Sequence, residues 1–382
     1  EPRALIEELC NAADSISGGL RVIQVMTGSA ERLAEKSGSA LRLLTPSPGP
    51  KSRKAIAENR AELLALSMFK LLAAILEGQL KIDGVLILGK PVEQGQATPG
   101  LIADVMVPAW ERARFRALEL NDRLPRLDSS LLNIKEAQYV VESSFEPGEL
   151  LDDPVSDLSR IIADHIVELI PDGSTFELGV GRALASVADA LSRQRRQLAM
   201  HSGIVGNAAM RLIKSGCVSR PVRGKAMAVG ATAMGTREFY AWADANPLVA
   251  LVDSRLAHCA ELLAQTPHFC AINSAIQVDL SGNANSMVYR GKKIGGIGGV
   301  ADFAHAGAQG WASIIAIPST TPNGNSTIIP KAEAVSVPGK HVTHVVTECG
   351  VADIRNLNGA DRARALIHVA APQHRQQLAE SL

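Results

Sequence analysis

The feature that most constrains this chain is alternation. Short runs rich in Val, Ile, Leu and Ala, with strand character, are separated from end to end by longer segments whose apolar residues recur at helical spacing. In the first part, residues 20–26 (LRVIQVM) and 84–88 (GVLIL) are strand-like, the second closed by Gly89 and Pro91. Residues 54–64, 67–76 and 108–120 have helical spacing, and 139–142 is extended. The stretch 143–156 (SSFEPGELLDDPVS), rich in Pro, Gly and acid, has the composition of a linker. Beyond it the alternation restarts. A helix at 158–170 stops at Pro171-Asp172-Gly173, a strand at 175–178 enters GVG, and a helix follows at 183–191. Further strands are expected at 226–229, 248–252, 269–272, 313–317 and 344–347, with a last helix at 360–369. Parallel neighbours in a sheet need a crossover, usually a helix, so the expected class is α/β with open, mostly parallel sheets. A chain of 382 residues exceeds one ordinary core, which gives two units, 1–150 and 151–382. No short repeat of solenoid type is present.

Composition narrows the function classes. Hydrophobic residues at 46% and charged residues at 20% describe a folded globular chain. Lys+Arg and Asp+Glu balance at 39 each, so no basic excess points to nucleic acid, and with 3% aromatic residues there are few platforms for stacking bases. An anionic ligand must then be held by local amides and a few placed cations. Cys10, Cys217, Cys259, Cys270 and Cys349 are odd in number and form no CxxC pair, as expected of small buried thiols in a reducing compartment. No apolar run reaches membrane-spanning length, and the opening EPRALIEELCNAADSI is amphipathic and acidic, unlike a secretory leader. A cytoplasmic location is the expectation.

Familiar signatures are missing: there is no GxxxxGK[ST] phosphate loop and no GxSxG elbow. GVGRAL, from Gly179 and Gly181, begins like a dinucleotide fingerprint but lacks the third glycine. Its expected job is a tight strand-to-helix turn, whose exposed amides suit an anion. His341 and His344 have no acidic or thiol partner at fixed spacing and are expected to be packing or surface residues, with no metal. The densest glycine cluster is GKKIGGIGG at 291–299, followed by Asp302. Open amides beside Lys292 and Lys293 would cradle a negative ligand, and the sequence after them has strand-forming character. Residues 272–286 (INSAIQVDLSGNANS) carry Asn273, Ser274, Gln277, Asp279, Asn283 and Asn285 between apolar residues. Their pattern alone gives a strand with an alternating face and then an Asn-Gly-type turn.

Taken together these segments resemble the acetyl-CoA hydrolase/transferase family, which includes butyrate, succinate and 4-hydroxybutyrate CoA-transferases. The resemblance runs in order through FELGVGRALASVADAL, LAMHSGIVGNAAMRLIKSG, GTREFYAWADANP, INSAIQVDLSGNANS, GGIGGVADF, SIIAIPST, VVTECGVADIR and RALIHVAAPQHRQQL, and more loosely through IDGVLILGKPVEQGQAT. It implies two similar α/β domains with the active site in the cleft between them. It also implies acyl-CoA and a small carboxylic acid as partners, coenzyme A as substrate and product, no metal or nicotinamide, and homo-oligomers as a common assembly.

In such a family a glutamate carboxylate attacks the thioester to give an acyl-glutamyl anhydride. The CoA thiolate then attacks the glutamyl carbonyl, and a second acid takes over the CoA by the reverse steps. The glutamate of the family's NSAIE motif aligns with Gln277. The TExG segment aligns with Glu348 and Gly350, the latter in the oxyanion region. The GxGG loop aligns with Gly296, Gly298 and Gly299, and a CoA-contacting strand end aligns with about Val252 to Leu256. The chain departs from the family at HSGI, where relatives usually have an acid after the Ser, and at Gln277, whose neutral amide cannot form the anhydride. Four explanations stand open. One is a deliberate Glu→Gln exchange in a glutamate enzyme. Another is a hydrolase in which water, held by Gln277 and activated by Glu348, attacks the thioester. The third is a cleft that binds acyl-CoA without transforming it, and the fourth is a different reaction on a positioned acyl group.

Overall fold

The structure is a computed structural model that describes residues 1–25 and 31–382. In the N-terminal half, β1 (Leu20–Ile23), β2 (Leu41–Thr45) and β3 (Glu62–Leu63) form a parallel three-stranded sheet in that order. The strands β4 (Gly84–Val92), β5 (Gln96–Thr98), β6 (Phe115–Asn121), β7 (Leu132–Asn133) and β8 (Tyr139–Ser143) form a second sheet with the order β7-β5-β4-β6-β8. The expected strand at 20–26 is thus found over Leu20–Ile23, and its end at Met26 lies outside the described residues. β4 runs on through Gly89 and Pro91, where closure was expected. It pairs with β6 only up to Gly89, and from Lys90 it pairs with β5 alone, so a proline without an N–H is tolerated there.

Two expected helices are shorter than their spacing suggested. The helix at 54–64 is found as Pro50–Ala57, because the chain turns at Asn59 (φ 61°) and the amides of Arg60 and Ala61 both donate back to Ala55 O. The helix at 108–120 ends at Arg112, and its second part is β6. Helix-forming residues yield there to pairing on both sides, with β4 and with β8. Glu119, buried in the middle of that strand, accepts from Ala4 N (2.8 Å) and Leu5 N (3.2 Å) at the start of the helix Arg3–Ala12. The positive end of that helix offsets the cost of burying the carboxylate.

The residues between β8 and the helix Asp157–Glu168 form a strap without regular structure, tied by Leu150 N to Gly235 O (2.9 Å) and by Tyr240 Oη to Gly148 O (2.9 Å). The C-terminal half then lays down β9 (Thr175–Leu178), β10 (Ala199–Val205), β11 (Ala228–Ala233), β12 (Val249–Leu251), β13 (Cys270–Ser274), β14 (Gln277–Asp279), β15 (Ala284–Asn285), β16 (Val288–Tyr289), β17 (Lys292–Lys293), β18 (Ala312–Ala316), β19 (Ile328–Ile329), β20 (His344–Thr347) and β21 (Gly350–Asp353). Eight of them build one sheet with the order β12-β11-β10-β9-β13-β18-β20-β21, parallel except for β21. β10 has no counterpart among the expected strands, because His201-Ser202-Gly203 interrupts its apolar run. In the strand Ser202 Oγ donates to Leu178 O (3.1 Å), whereas His201 Nε2 is enclosed with no partner among the described residues. The glycine cluster is followed by the helix Val300–Gln309, where strand-forming character was expected. Gly307 lets that helix lie against β18, since a Cβ there would sit 2.4 Å from Ala312 O.

Both faces of the large sheet are covered. Ile314 packs into the core beneath helices Asp157–Glu168 and Val187–Gln194, while its neighbour Ile315 packs into the opposite core with Leu366 and Val345. Burial on both faces is why these strands are continuous apolar runs. The class is α/β with mostly parallel sheets. The strand order also marks a topological switch point. β9 comes first in sequence; β10, β11 and β12 step outward on one side of it, and β13, β18 and β20 step outward on the other. The order therefore reverses between β9 and β13, and ligands of open α/β sheets bind beyond the carboxyl ends of the strands at such a switch point.

Candidate active site

The loops leaving β9 and β13 pack directly on each other. Gly179 N donates to Ile272 O (2.8 Å), and a Cβ on Gly179 would lie 2.6 Å from Asn273 Oδ1. Gly181 has φ +137°, and its Cβ would stand 3.4 Å from Ser274 Cβ. Asn273 Nδ2 in turn donates to Glu177 Oε2 at 2.6 Å. Glu177 is 3% exposed, and burial pushes its carboxyl up to about 8, against the opposing pull of the bonds from Asn273 and the Ile272 backbone. A buried acid whose proton is held more tightly than usual therefore sits at the switch point. Sequence reasoning passed over it, although a single acid inside the apolar strand TFEL was a usable signal.

Gln277 opens β14, which lies between β15 and β19 in a small separate sheet, opposite Asn285. Its side chain is 8% exposed, and Oε1 is enclosed with no donor among the described residues. A buried acceptor left unpaired costs free energy, about 1–3 kcal/mol, which a ligand donor or a water would recover. Glu348 occupies the turn between β20 and β21, and both of its oxygens are engaged by Ser319, through Ser319 N (2.9 Å) and Ser319 Oγ. Ser319 O accepts from Thr327 N (3.2 Å) and Thr327 O accepts from Val278 N (2.9 Å), which ties Glu348 to the strand that carries Gln277. Gly350 has φ +135°, and an added Cβ would meet Val369 Cγ1 at 4.0 Å.

The glycine loop approaches the same hairpin. Gly295 N donates to Met287 O (3.2 Å), two residues after Asn285. A Cβ on Gly296 would lie 1.7 Å from Pro46 O, and Gly298 has φ +56° with its carbonyl accepting from Met68 N (3.1 Å). Gly299 begins the helix Val300–Gln309 against the ring of His258, whose Cε1 would be 2.7 Å from an added Cβ. Gly298 is bridged to Ser67 as in a parallel ladder, which takes up its amide, whereas the backbone amides of Gly296, Ile297 and Gly299 meet no acceptor among the described residues. Unpaired amides at the start of a helix are favourable for negative charge.

Two sequence-derived assignments land elsewhere. Val252 is 6% exposed in a small cluster with Val229, Ala231 and Ala250, and its amide donates to Gly230 O (2.8 Å). Its segment reaches the glycine loop through His258. Lys292 and Lys293 are exposed on β17, and the amides beside them, Arg290 N and Gly291 N, already bind the Glu333 carboxylate at 3.0 and 2.8 Å. His341 stacks on His305 with ring centroids 4.3 Å apart, and His344 is buried against Thr343. No group of three His, Cys, Asp or Glu side chains among the described residues could hold a metal, and no helix among them is long and apolar enough to cross a membrane.

Comparison with known proteins gives this arrangement its context. The profile of the acetyl-CoA hydrolase/transferase C-terminal domain matches residues 235–382. A 4-hydroxybutyrate coenzyme A transferase of Clostridium kluyveri is 30% identical over 99% of this chain and 90% of its own. A succinyl-CoA:acetate/propanoyl-CoA:succinate CoA transferase of Fasciola hepatica is 30% identical over 86% of this chain and 71% of its own. The crystal structure of RipA from Yersinia pestis, 24% identical, superposes with a TM-score of 0.84 over 100% of this chain and 98% of that one, which establishes the shared fold. The chain belongs to the acetyl-CoA hydrolase/transferase family.

Proposed function

We propose that the crevice between units 1–150 and 151–382 binds an acyl-CoA and moves its CoA to a small carboxylic acid. The observation that carries this reading is the set of three unpaired amides at Gly296, Ile297 and Gly299, beside the hairpin that holds Gln277. Those amides suit the oxygen of a thioester carbonyl as it gains negative charge, which is where fixed donors lower a barrier most. Gly350, and the GVG turn of Gly179 and Gly181, border the same carboxyl-end crevice. Coenzyme A is substrate and product.

Gln277 carries a neutral amide, which forms no acyl anhydride. Its role is orientation: the enclosed Oε1 accepts a donor from the ligand, and the acyl carbon is attacked by the acceptor itself. A carboxylate acceptor displaces CoA thiolate to give a mixed anhydride, and the thiolate then attacks the acceptor carbonyl and expels the original acid. Hydrolysis with water as acceptor is the second reading. It needs Glu348 as base, and Glu348 would have to release Ser319 to serve.

The test is to incubate the protein with acetyl-CoA and measure free thiol and new acyl-CoA, with and without a short carboxylic acid. Acceptor-dependent exchange is expected. In Gln277→Glu, exchange rises by at least tenfold and a glutamyl-CoA adduct appears by mass. Absence of saturable acetyl-CoA binding in both forms overturns the reading.

A further inference from the structure

The glycine loop belongs to the C-terminal half, yet its shape is held from the N-terminal half. Pro46 O leaves no room for a side chain at Gly296, and Met68 N donates to Gly298 O. The link is completed by Asp302, on the first turn of the helix that the loop begins. Its Oδ1 accepts from Ser67 Oγ (2.5 Å) and its Oδ2 from Phe69 N (3.0 Å). Ser67 is also the N-cap of the helix Met68–Leu76, accepting from Lys70 N. One carboxyl therefore satisfies two donors at the start of a helix 230 or so positions away in the chain, where a negative group is favoured.

Asp302 has little else to do. Its side chain is almost wholly enclosed, and it stands 3.6 Å from His258 Nδ1, which has no hydrogen-bond partner among the described residues. Burial raises the Asp302 carboxyl to about 7 and lowers His258 to about 3, so the two are not an ion pair. The His258 ring instead packs on Phe303 and fills the space beside Gly299 and Gly203.

We propose that Asp302 is a positioning residue that fixes the amides of Gly296, Ile297 and Gly299 by latching their helix to Ser67 and Phe69 of the N-terminal half. The inference rests on the acyl-CoA reading above and deepens it: the donors for the thioester oxygen are set by a contact between halves. With the latch removed, the loop still exists but its amides no longer converge, so transition-state stabilisation falls while ground-state binding of the long CoA chain persists.

The test compares Asp302→Ala, Asp302→Asn and the unaltered protein in the thiol and exchange assay, with acetyl-CoA affinity from calorimetry and amide hydrogen exchange over residues 66–70 and 294–303. Asparagine can accept from Phe69 N and donate to Ser67 Oγ. The expected result is a fall in kcat of at least tenfold in Asp302→Ala with acetyl-CoA affinity within about threefold, recovery in Asp302→Asn, and faster exchange of the loop amides only in the alanine variant. Unchanged kcat and exchange in Asp302→Ala overturn the latch. So does a joint loss of kcat, affinity and melting temperature that asparagine fails to restore. If the unaltered protein and Gln277→Glu neither bind acetyl-CoA nor release thiol, the acyl-CoA reading fails instead. Hydrogen exchange then judges the latch alone, and equal exchange in all three forms overturns it.

Discussion

The two glycine turns, GVG and GIGG, resemble each other in sequence but rest on different supports. GVG closes against its own sheet: the atom nearest to an added Cβ at Gly179 is Asn273 Oδ1, the tip of a side chain. GIGG closes against the other half of the molecule, and the atom facing Gly296 is the backbone oxygen of Pro46. A side chain can rotate away, whereas a backbone carbonyl moves only if its segment moves. The first turn is thus a packing device inside one unit, and the second fixes how the two halves meet.

This contrast breaks most easily at Gly296. Gly296→Ala is expected to lose measurable acetyl-CoA binding and about 3 kcal/mol of stability, because the overlap can be relieved only by shifting backbone. Gly179→Ala should cost about 2 kcal/mol, as Asn273 gives up its bond to Glu177 to make room, and keep binding. Melting curves and calorimetry on the two variants decide it, and equal losses would remove the distinction.

The second prediction sharpens the view of the GVG side as a buried, uncharged support. Glu177 has its carboxyl raised from an ordinary 4.5 to about 8. The fold holds this proton more tightly than the unfolded chain does. The resulting stability is full below about 4.5 and is lost as pH rises through about 8. Glu177→Gln keeps an acceptor for Asn273 and cannot ionise. Its melting temperature should exceed that of the unaltered protein at pH 9 and match it or fall slightly below at pH 5. A parallel pH dependence in the two proteins would show that Glu177 does not titrate there.

The smallest effect is expected at Lys292 and Lys293. Both are exposed, and the amides beside them are filled by Glu333. Lys292→Ala and Lys293→Ala should each change acetyl-CoA affinity by less than about threefold, and by less still at high salt. A tenfold loss would restore the cationic cradle that the sequence suggested.

Much of the C-terminal half was legible because its sheet is buried on both faces. A run such as ASIIA has no polar alternative, and glycines mark the turns at strand ends. The errors have specific causes. β6 looked helical because Arg, Ala, Leu and Glu form helices locally, and only pairing on both sides made it a strand. β10 was hidden because buried His201 and Ser202 look like surface residues until their surroundings are known. In the proposed site, the glycine loop and position 277 stand out in the motif. Glu177 and the latch at Asp302 were not, because a buried carboxyl and an exposed one look alike in one dimension.

The sequence by itself determined the alternating α/β pattern, the glycine turns and the neutral amide at 277, all of which depend on residue type and local spacing. Tertiary structure alone decided that the strand order reverses between β9 and β13, that Glu333 occupies the amides beside the lysines, and that Asp302 reaches Ser67. Each of these is a meeting of groups far apart in the chain, where burial and hydrogen-bond partners depend on what the rest of the fold brings alongside.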